Sequence, residues 1–235
     1  MNAGVSTAAA SVYIIDDDDS FRRSMMRMLK MAGYVATGYR CTTEFLLAYA
    51  PGGGSACILL DISMPGPSGI ELLKALRAHD CAPPVVFVTG RDDVITTIDV
   101  MKWGAFSYLL KPLGSETLLP VVRAALLADE QRRAMRHDLT QLRAHFATLT
   151  PVERVIFDGV VNNRLNKQLA AELGVCERTI KAQRARMFEK LQIQTVPGLV
   201  RAAKALQNTA GAGAKEPAAW PWFDSRPAVP QKCET

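Results

Sequence analysis

The chain has 235 residues, of which 49% are hydrophobic and 22% charged, with a formal net charge of +5. That length suits two modest domains, each with its own core, and the composition is too apolar for a disordered protein. The longest apolar runs, such as VVFV and ACILL, are far too short to cross a bilayer, so no membrane partner is expected.

The charge is unevenly divided. Residues 1–127 carry 11 Lys and Arg against 12 Asp and Glu, a net of −1, whereas residues 128–235 carry 17 against 11, a net of +6. Acidic chemistry is expected in the first part and a polyanionic partner for the second. The N-terminal MNAGVSTAAASVYII lacks the basic start of a secretory signal, which predicts a cytoplasmic protein. The cysteines at 41, 57, 81, 176 and 233 show neither CxxC nor any metal-ligand spacing, and are expected to be reduced and mostly packed.

Apolar runs of strand length recur at VYII (12–15), YVATGY (34–39), ACILL (56–60), VVFV (85–88) and FSYLL (106–110). Helical spacing lies between them: Phe21, Met25, Met28, Leu29 and Ala32, then Leu72, Leu73 and Leu76, then Val94, Ile98 and Met101. Near-continuous apolar strands alternating with helices predict an α/β fold, a doubly wound, five-stranded parallel sheet of flavodoxin-like order 2-1-3-4-5. Such sheets bind ligands beyond the carboxyl ends of their strands. Asp16 and Asp17 follow the first strand and Asp61 the third, so that order gathers three carboxylates. Mutual repulsion would raise their pKa values unless a cation lies among them, and a hard divalent ion with oxygen ligands, Mg²⁺, fits. Thr89 ends the fourth strand and Lys111 follows the fifth. Together these are the parts needed to form and hold an acyl phosphate.

The run IIDD, the block LLDISMPGPSG, the VTG after strand four and the KP after strand five occur in order. On these motifs residues 11–127 resemble the receiver domain of two-component response regulators. The resemblance implies that Asp61 is the phospho-acceptor and that Asp17 binds Mg²⁺ directly, with Asp16 acting mainly through water. It implies that the Ser63 carbonyl completes the metal site, that Thr89 and Lys111 contact the phosphoryl oxygens, and that Tyr108 is a switch aromatic. It also implies a cis peptide between Lys111 and Pro112. Asp18 and Asp19 are expected only to favour the N-terminus of the first helix, with Ser20 as a competing cap. Gly66 and Gly69 are read as turn residues. Leu113 replaces the usual phenylalanine after KP, and Trp103 is either an interaction anchor or a packed residue.

Residues 128–147 are charged, glycine-free and helix-prone, a helical linker. Met135, Leu139, Leu142 and Phe146 have the seam spacing of a short coiled coil, or form one face of an exposed helix. His137 and His145 have no ligand partner and are assigned no chemistry. LTPVERV then starts a helix, with Thr150 as cap, Pro151 in the first turn and Glu153 at the capping-box position. Helices are expected at 166–173 and 177–191, joined by a turn at Gly174 and Val175, which is a helix-turn-helix pattern. The second of these carries Arg178, Lys181, Arg184, Arg186 and Lys190, with small Ala182 and Ala185 permitting close approach to a major groove.

Residues 148–207 resemble the LuxR-type DNA-binding domain through LTPVER, NKQLAAELGV, ERTIKAQRARMFEKL and VPGLVRAA. The resemblance turns Lys181, Ala182 and Ala185 toward bases, and Asn166, Lys167, Arg178, Arg184 and Arg186 toward phosphates. Residues 208–235, containing WPWF, are rich in Ala, Gly and Pro and are expected to be a disordered tail. The two resemblances together imply a non-enzymatic response regulator of the FixJ/NarL/LuxR kind. Its partners would be a histidine kinase and double-stranded DNA, with a homodimer forming on phosphorylation. A Mg²⁺-dependent phosphatase with an aspartyl intermediate would need an acid two residues after Asp61, where Ser63 stands. A protein-binding adaptor is disfavoured by the basic helix.

Overall fold

A computed structural model describes residues 10–50, 53–64, 69–77, 82–90 and 101–210. The turn at Gly66, most of the helix expected through Val94 and Ile98, and the WPWF tail lie outside the described residues, as do Cys81 and Cys233. The described residues form two compact units, one reaching Arg133 and the other starting at Ala134.

The first unit contains strands β1 (Ser11–Ile15), β2 (Val35–Tyr39), β3 (Ala56–Asp61), β4 (Val85–Thr89) and β5 (Ser107–Leu110), all paired in parallel in the order 2-1-3-4-5. The β3 residues are buried throughout, as a central strand covered on both faces must be. Its alternation sorts the core: Cys57 and Leu59 join Val12, Ile14, Met25, Leu29, Leu118 and Val122 on one face. Ile58 and Leu60 join Ile15, Phe45, Leu72, Leu73 and Leu76 on the other. The first face is covered by α1 (Asp19–Met31) and α4 (Ser115–Ala147), the second by α2 (Thr42–Ala48) and α3 (Gly69–Arg77). Leu113, after the cis Lys111–Pro112 peptide, is buried in the first face.

α1 starts where its sequence allows the best cap. Asp18, not Ser20, is the N-cap, its carboxylate accepting from the Ser20 and Phe21 N–H groups, and Ser20 already lies inside the helix. The carboxyl edge of the sheet is set by register: Ile15 pairs with Tyr39 and Leu60, Asp61 with Val88, and Thr89 with Leu110.

A second polar device fastens the opposite edge. Asp129, fully buried on α4, accepts the Ala56 N–H at 3.0 Å, Arg132 at 2.6 Å and Arg133 at 2.7 Å. Arg133 also donates to the Gly53 carbonyl at 2.7 Å, and Arg132 to the Ala82 carbonyl. Burial beside this acid pushes the Cys57 thiol up to about 12, so it is inert as a nucleophile. Cys41 is half-buried, whereas Cys176 is exposed rather than packed.

The linker segment is not a separate element but the second part of α4, which runs unbroken to Ala147. Of its apolar seam, Met135 is 71% exposed, so four residues do not make one buried stripe. Phe146 instead packs edge-on against Phe157, with ring centroids 5.1 Å apart. In this second unit α5 (Pro151–Val161), α6 (Asn166–Leu173), α7 (Glu177–Leu191) and α8 (Val196–Ala210) enclose Ile156, Phe157, Leu169, Ile180, Met187, Leu191 and Leu199. Thr150 and Glu153 form the reciprocal capping box. Gly174 ends α6 at φ 65°, a left-handed position that favours glycine.

Asp129→Ala removes the acceptor shared by two guanidinium groups and a buried backbone N–H. Because both arginines retain some contact with solvent, a loss of about 3 kcal/mol is expected, the low end for breaking a buried pair. Urea unfolding of the full chain measures it, and a loss of under about 1 kcal/mol would demote this cluster to a surface feature.

Candidate functional site

The parallel order and register bring the ends of β1, β3, β4 and β5 to one edge, where the predicted acidic residues meet. Asp16 and Asp61 are buried and Asp17 is exposed, yet one carboxylate oxygen from each lies within 4.8 Å of the others. Lys111 Nζ bridges two of them, 2.7 Å from Asp16 Oδ2 and 3.0 Å from Asp61 Oδ2. The Lys111 N–H donates to the Thr89 carbonyl at 2.8 Å, which holds the residue at the end of β5 beside buried Thr89. Ser63 is exposed and its N–H donates to Asp61 Oδ1 at 3.1 Å. Tyr108 is half-buried on β5.

Gly69 has a packing duty rather than a turn duty. It opens α3 so close to β3 that a Cβ there would sit 2.8 Å from the Asp61 carbonyl oxygen. Sequence reading missed Phe21, whose ring centroid lies 4.1 Å from Lys111 Nζ and faces the cation. It also missed Arg22, whose guanidinium donates to the Asp16 carbonyl at 2.7 Å. The Asp-x-x-x-x-x-Arg spacing was visible, but nothing in it shows that the side chain turns back to the backbone.

Burial pushes the Asp16 carboxyl above the usual carboxylate range, with hydrogen bonds from Lys111 and the Asp18 N–H offsetting part of the rise. For Lys111, burial acts downward, but its hydrogen bonds to Asp16 and Asp61 outweigh that and hold the ammonium above its ordinary value. Three hard oxygen donors with one ammonium leave an excess of negative charge. The exposed Asp17 keeps the cluster open to water, and this donor set fits a divalent metal ion.

In the second unit, α7 buries Ile180, Met187 and Leu191 and leaves Arg178, Lys181, Ala182, Ala185 and Arg186 exposed. Residues 178, 182 and 185 follow helical spacing, so they share one face. Lys167 is exposed at the start of α6. Two of the predicted phosphate contacts bind each other: Arg184 donates to Asn166 Oδ1 at 2.6 Å. Lys190 turns inward to Glu153 at 2.7 Å.

Residues 12–123 match the family model described as the response regulator receiver domain, and residues 147–203 that of the bacterial regulatory proteins of the luxR family. Nodulation protein W of Bradyrhizobium diazoefficiens is 32% identical over 201 residues, 86% of this chain and 88% of that protein. The transcriptional regulatory protein FixJ of Azorhizobium caulinodans is 34% identical over 192 residues, 82% of this chain and 90% of its own. The chain belongs to the FixJ-type response regulators. The solved structure of the response regulator StyR is 34% identical, with a TM-score of 0.74, and covers 84% of this chain and 99% of that one. As a FixJ-type regulator the protein is a two-component response regulator that controls transcription. Among the described residues, no helix is long and apolar enough to cross a membrane.

The buried acid makes the regulator's stability depend on pH. An acid with a raised folded pKa binds its proton more tightly in the folded chain. The contribution of Asp16 is therefore fullest below its ordinary value of 3.8 and is lost as pH rises through the higher folded value. Without divalent cation, the urea midpoint of Asp16→Asn should gain on that of the wild type as pH rises above that value. A wild-type advantage that grows with pH would contradict the assignment.

Proposed function

We propose that Asp61 accepts a phosphoryl group from a histidine kinase and that the resulting acyl phosphate controls DNA binding by the second unit. The observation that carries this reading is the Lys111 ammonium set between Asp16 and Asp61 at the carboxyl edge of the sheet. In the transfer, the phosphorus–nitrogen bond of the kinase's phosphohistidine breaks and a bond to an Asp61 carboxylate oxygen forms. The imidazole leaves. Lys111 and the Thr89 hydroxyl receive the phosphoryl oxygens, the former as a fixed charge. Asp17, Asp61 and the Ser63 carbonyl would hold Mg²⁺, with Asp16 acting mainly through water, and the ion would supply positive charge to offset that of the phosphoryl group. Tyr108 acts as the switch aromatic on the neighbouring strand.

The protein does not turn over a substrate of its own. Ser63 stands where an aspartyl phosphatase needs its acid, which supports a regulatory role. Residues 11–127 serve as the receiver, 128–147 as the helical linker and 148–207 as the DNA-binding domain, acting in the cytoplasm, where kinase and DNA meet. On DNA, Lys181, Ala182 and Ala185 face bases, while Asn166, Lys167, Arg178, Arg184 and Arg186 meet phosphates. One helix-turn-helix offers few base contacts, so specificity calls for two copies on adjacent half-sites. Exposed Met101, Trp103, Phe106 and Leu110 near β5 suit a reversible pairing face, with the Lys74 ammonium 4.0 Å over the Trp103 ring.

The direct test adds acetyl phosphate to wild type and to Asp61→Asn in Mg²⁺ buffer. Wild type should be labelled, should shift from monomer to dimer in sedimentation velocity and should bind DNA more tightly, and the variant should do none of these. Undiminished labelling of the variant would move the acceptor elsewhere.

A second experiment compares DNA contacts. Lys181→Ala should change which base is preferred in a half-site, whereas Arg178→Ala should weaken all sequences alike and lower the salt dependence by roughly one ion. Equal effects on every sequence would make Lys181 a phosphate contact as well.

A further inference from the structure

The run Asp16 to Asp19 spends its fourth carboxylate on an arginine rather than on the metal site. Arg22 is only 6% exposed although it lies in the second turn of α1. One guanidinium nitrogen donates to the Asp16 carbonyl oxygen at 2.7 Å and the other to Asp19 Oδ1. Asp19 is steadied further by Arg23 at 3.7 Å and Arg40 at 3.9 Å. The stem of Arg22 fills the space that Gly38 of β2 leaves open, where a Cβ would come within 2.8 Å of its Cγ and 2.9 Å of its Cδ.

The gripped carbonyl belongs to the peptide that joins Asp16 to Asp17. The Asp16 side chain is already fixed through both oxygens, Oδ1 by the Asp18 N–H at 2.9 Å and Oδ2 by Lys111. Asp17 has no such restraint from burial, and the direction of its side chain depends on the orientation of that peptide plane. We propose that Arg22, held by Asp19 and accommodated by Gly38, is a positioning residue for the divalent-cation site, fixing the Asp16–Asp17 peptide so that the Asp17 carboxylate is preset toward Asp61. The proposal rests on the reading of that cluster as a Mg²⁺ site. It gives each of the four aspartates a duty: Asp17 as direct ligand, Asp16 through water, Asp18 as helix cap and Asp19 as holder of the brace.

Positioning and bulk electrostatics predict opposite signs. A guanidinium beside three carboxylates repels a cation, so removing its charge would tighten Mg²⁺ binding if charge alone mattered. Loss of preorganisation instead weakens binding, and outer groups that orient metal ligands typically contribute 10–100-fold.

The test is calorimetric titration of Mg²⁺ into the full unphosphorylated chain with no phosphodonor, using wild type, Arg22→Met, Arg22→Lys and Gly38→Ala. The Mg²⁺ dissociation constant should rise about tenfold in Arg22→Met. Arg22→Lys keeps the charge but loses the two-pronged grip, and should also bind more weakly. Gly38→Ala keeps every charge and should shift affinity the same way by displacing the stem. Far-ultraviolet circular dichroism reports folding, and if Arg22→Met is unfolded the other two variants decide. Unchanged or tighter binding in folded Arg22→Met, or wild-type affinity in both milder variants, overturns the brace. Failure of the wild type to bind Mg²⁺ overturns the metal reading itself, and the brace with it.

Discussion

Lys111 Nζ lies 2.7 Å from one buried carboxylate and 3.0 Å from another, and the arrangement of the first unit follows from the need to hold those three groups together. Buried charges are expensive unless paired, and here one ammonium serves two acids. The residual negative charge is what makes the cluster a place for a cation rather than a closed salt bridge. The 2-1-3-4-5 order sets the end of β1 beside that of β3 and leaves β5 two strands from β3, within reach of a lysine side chain. A sheet that parted β1 from β3 would leave Asp16 and Asp61 apart and both acids without their shared partner.

The same economy governs the opposite edge. At the amino end of β3 the acid is Asp129 and the cations are Arg132 and Arg133, and they close on backbone groups at Ala56, Gly53 and Ala82. One edge is thus saturated with donors and structurally closed, while the other is left short of positive charge. β3 runs between them, buried along its whole length, so its two ends are fixed by opposite electrostatic situations.

The fold was legible because central strands are apolar on both faces and helices repeat their apolar residues every three to four positions. The main site was legible because its residues follow strand ends directly, so strand order alone brings Asp16, Asp17, Asp61, Thr89 and Lys111 together. Besides Phe21, what escaped were side-chain contacts to backbone atoms. The acids Asp19 and Asp129 stand at helical spacing from Arg22 and Arg133, but nothing in the sequence marks the second contacts, to the Asp16 and Gly53 carbonyls. Gly69 escaped for a related reason, since a close approach to the Asp61 carbonyl is a property of packing and its local sequence reads equally well as a turn. Spacing alone cannot say what faces the seam from Met135 to Phe146: Phe146 packs on Phe157, whereas Met135 is exposed, as on one face of an exposed helix.

Counting charges along α7 overstates what that helix offers to a polyanion. Of its five cations, Lys190 is drawn inward to Glu153, whose carboxyl burial pushes up but hydrogen bonds from Lys190 and Thr150 hold below the usual range. Arg184 is joined to Asn166, which locks the start of α6 to the middle of α7 and so fixes the angle of the helix-turn-helix. Arg178, Lys181 and Arg186 remain exposed. A cation already hydrogen-bonded within the protein still contributes its field, but it contributes a preset geometry more than an adaptable contact. A helix with three exposed cations and two small residues on its surface is suited to reading a short stretch of groove, with a modest electrostatic reach.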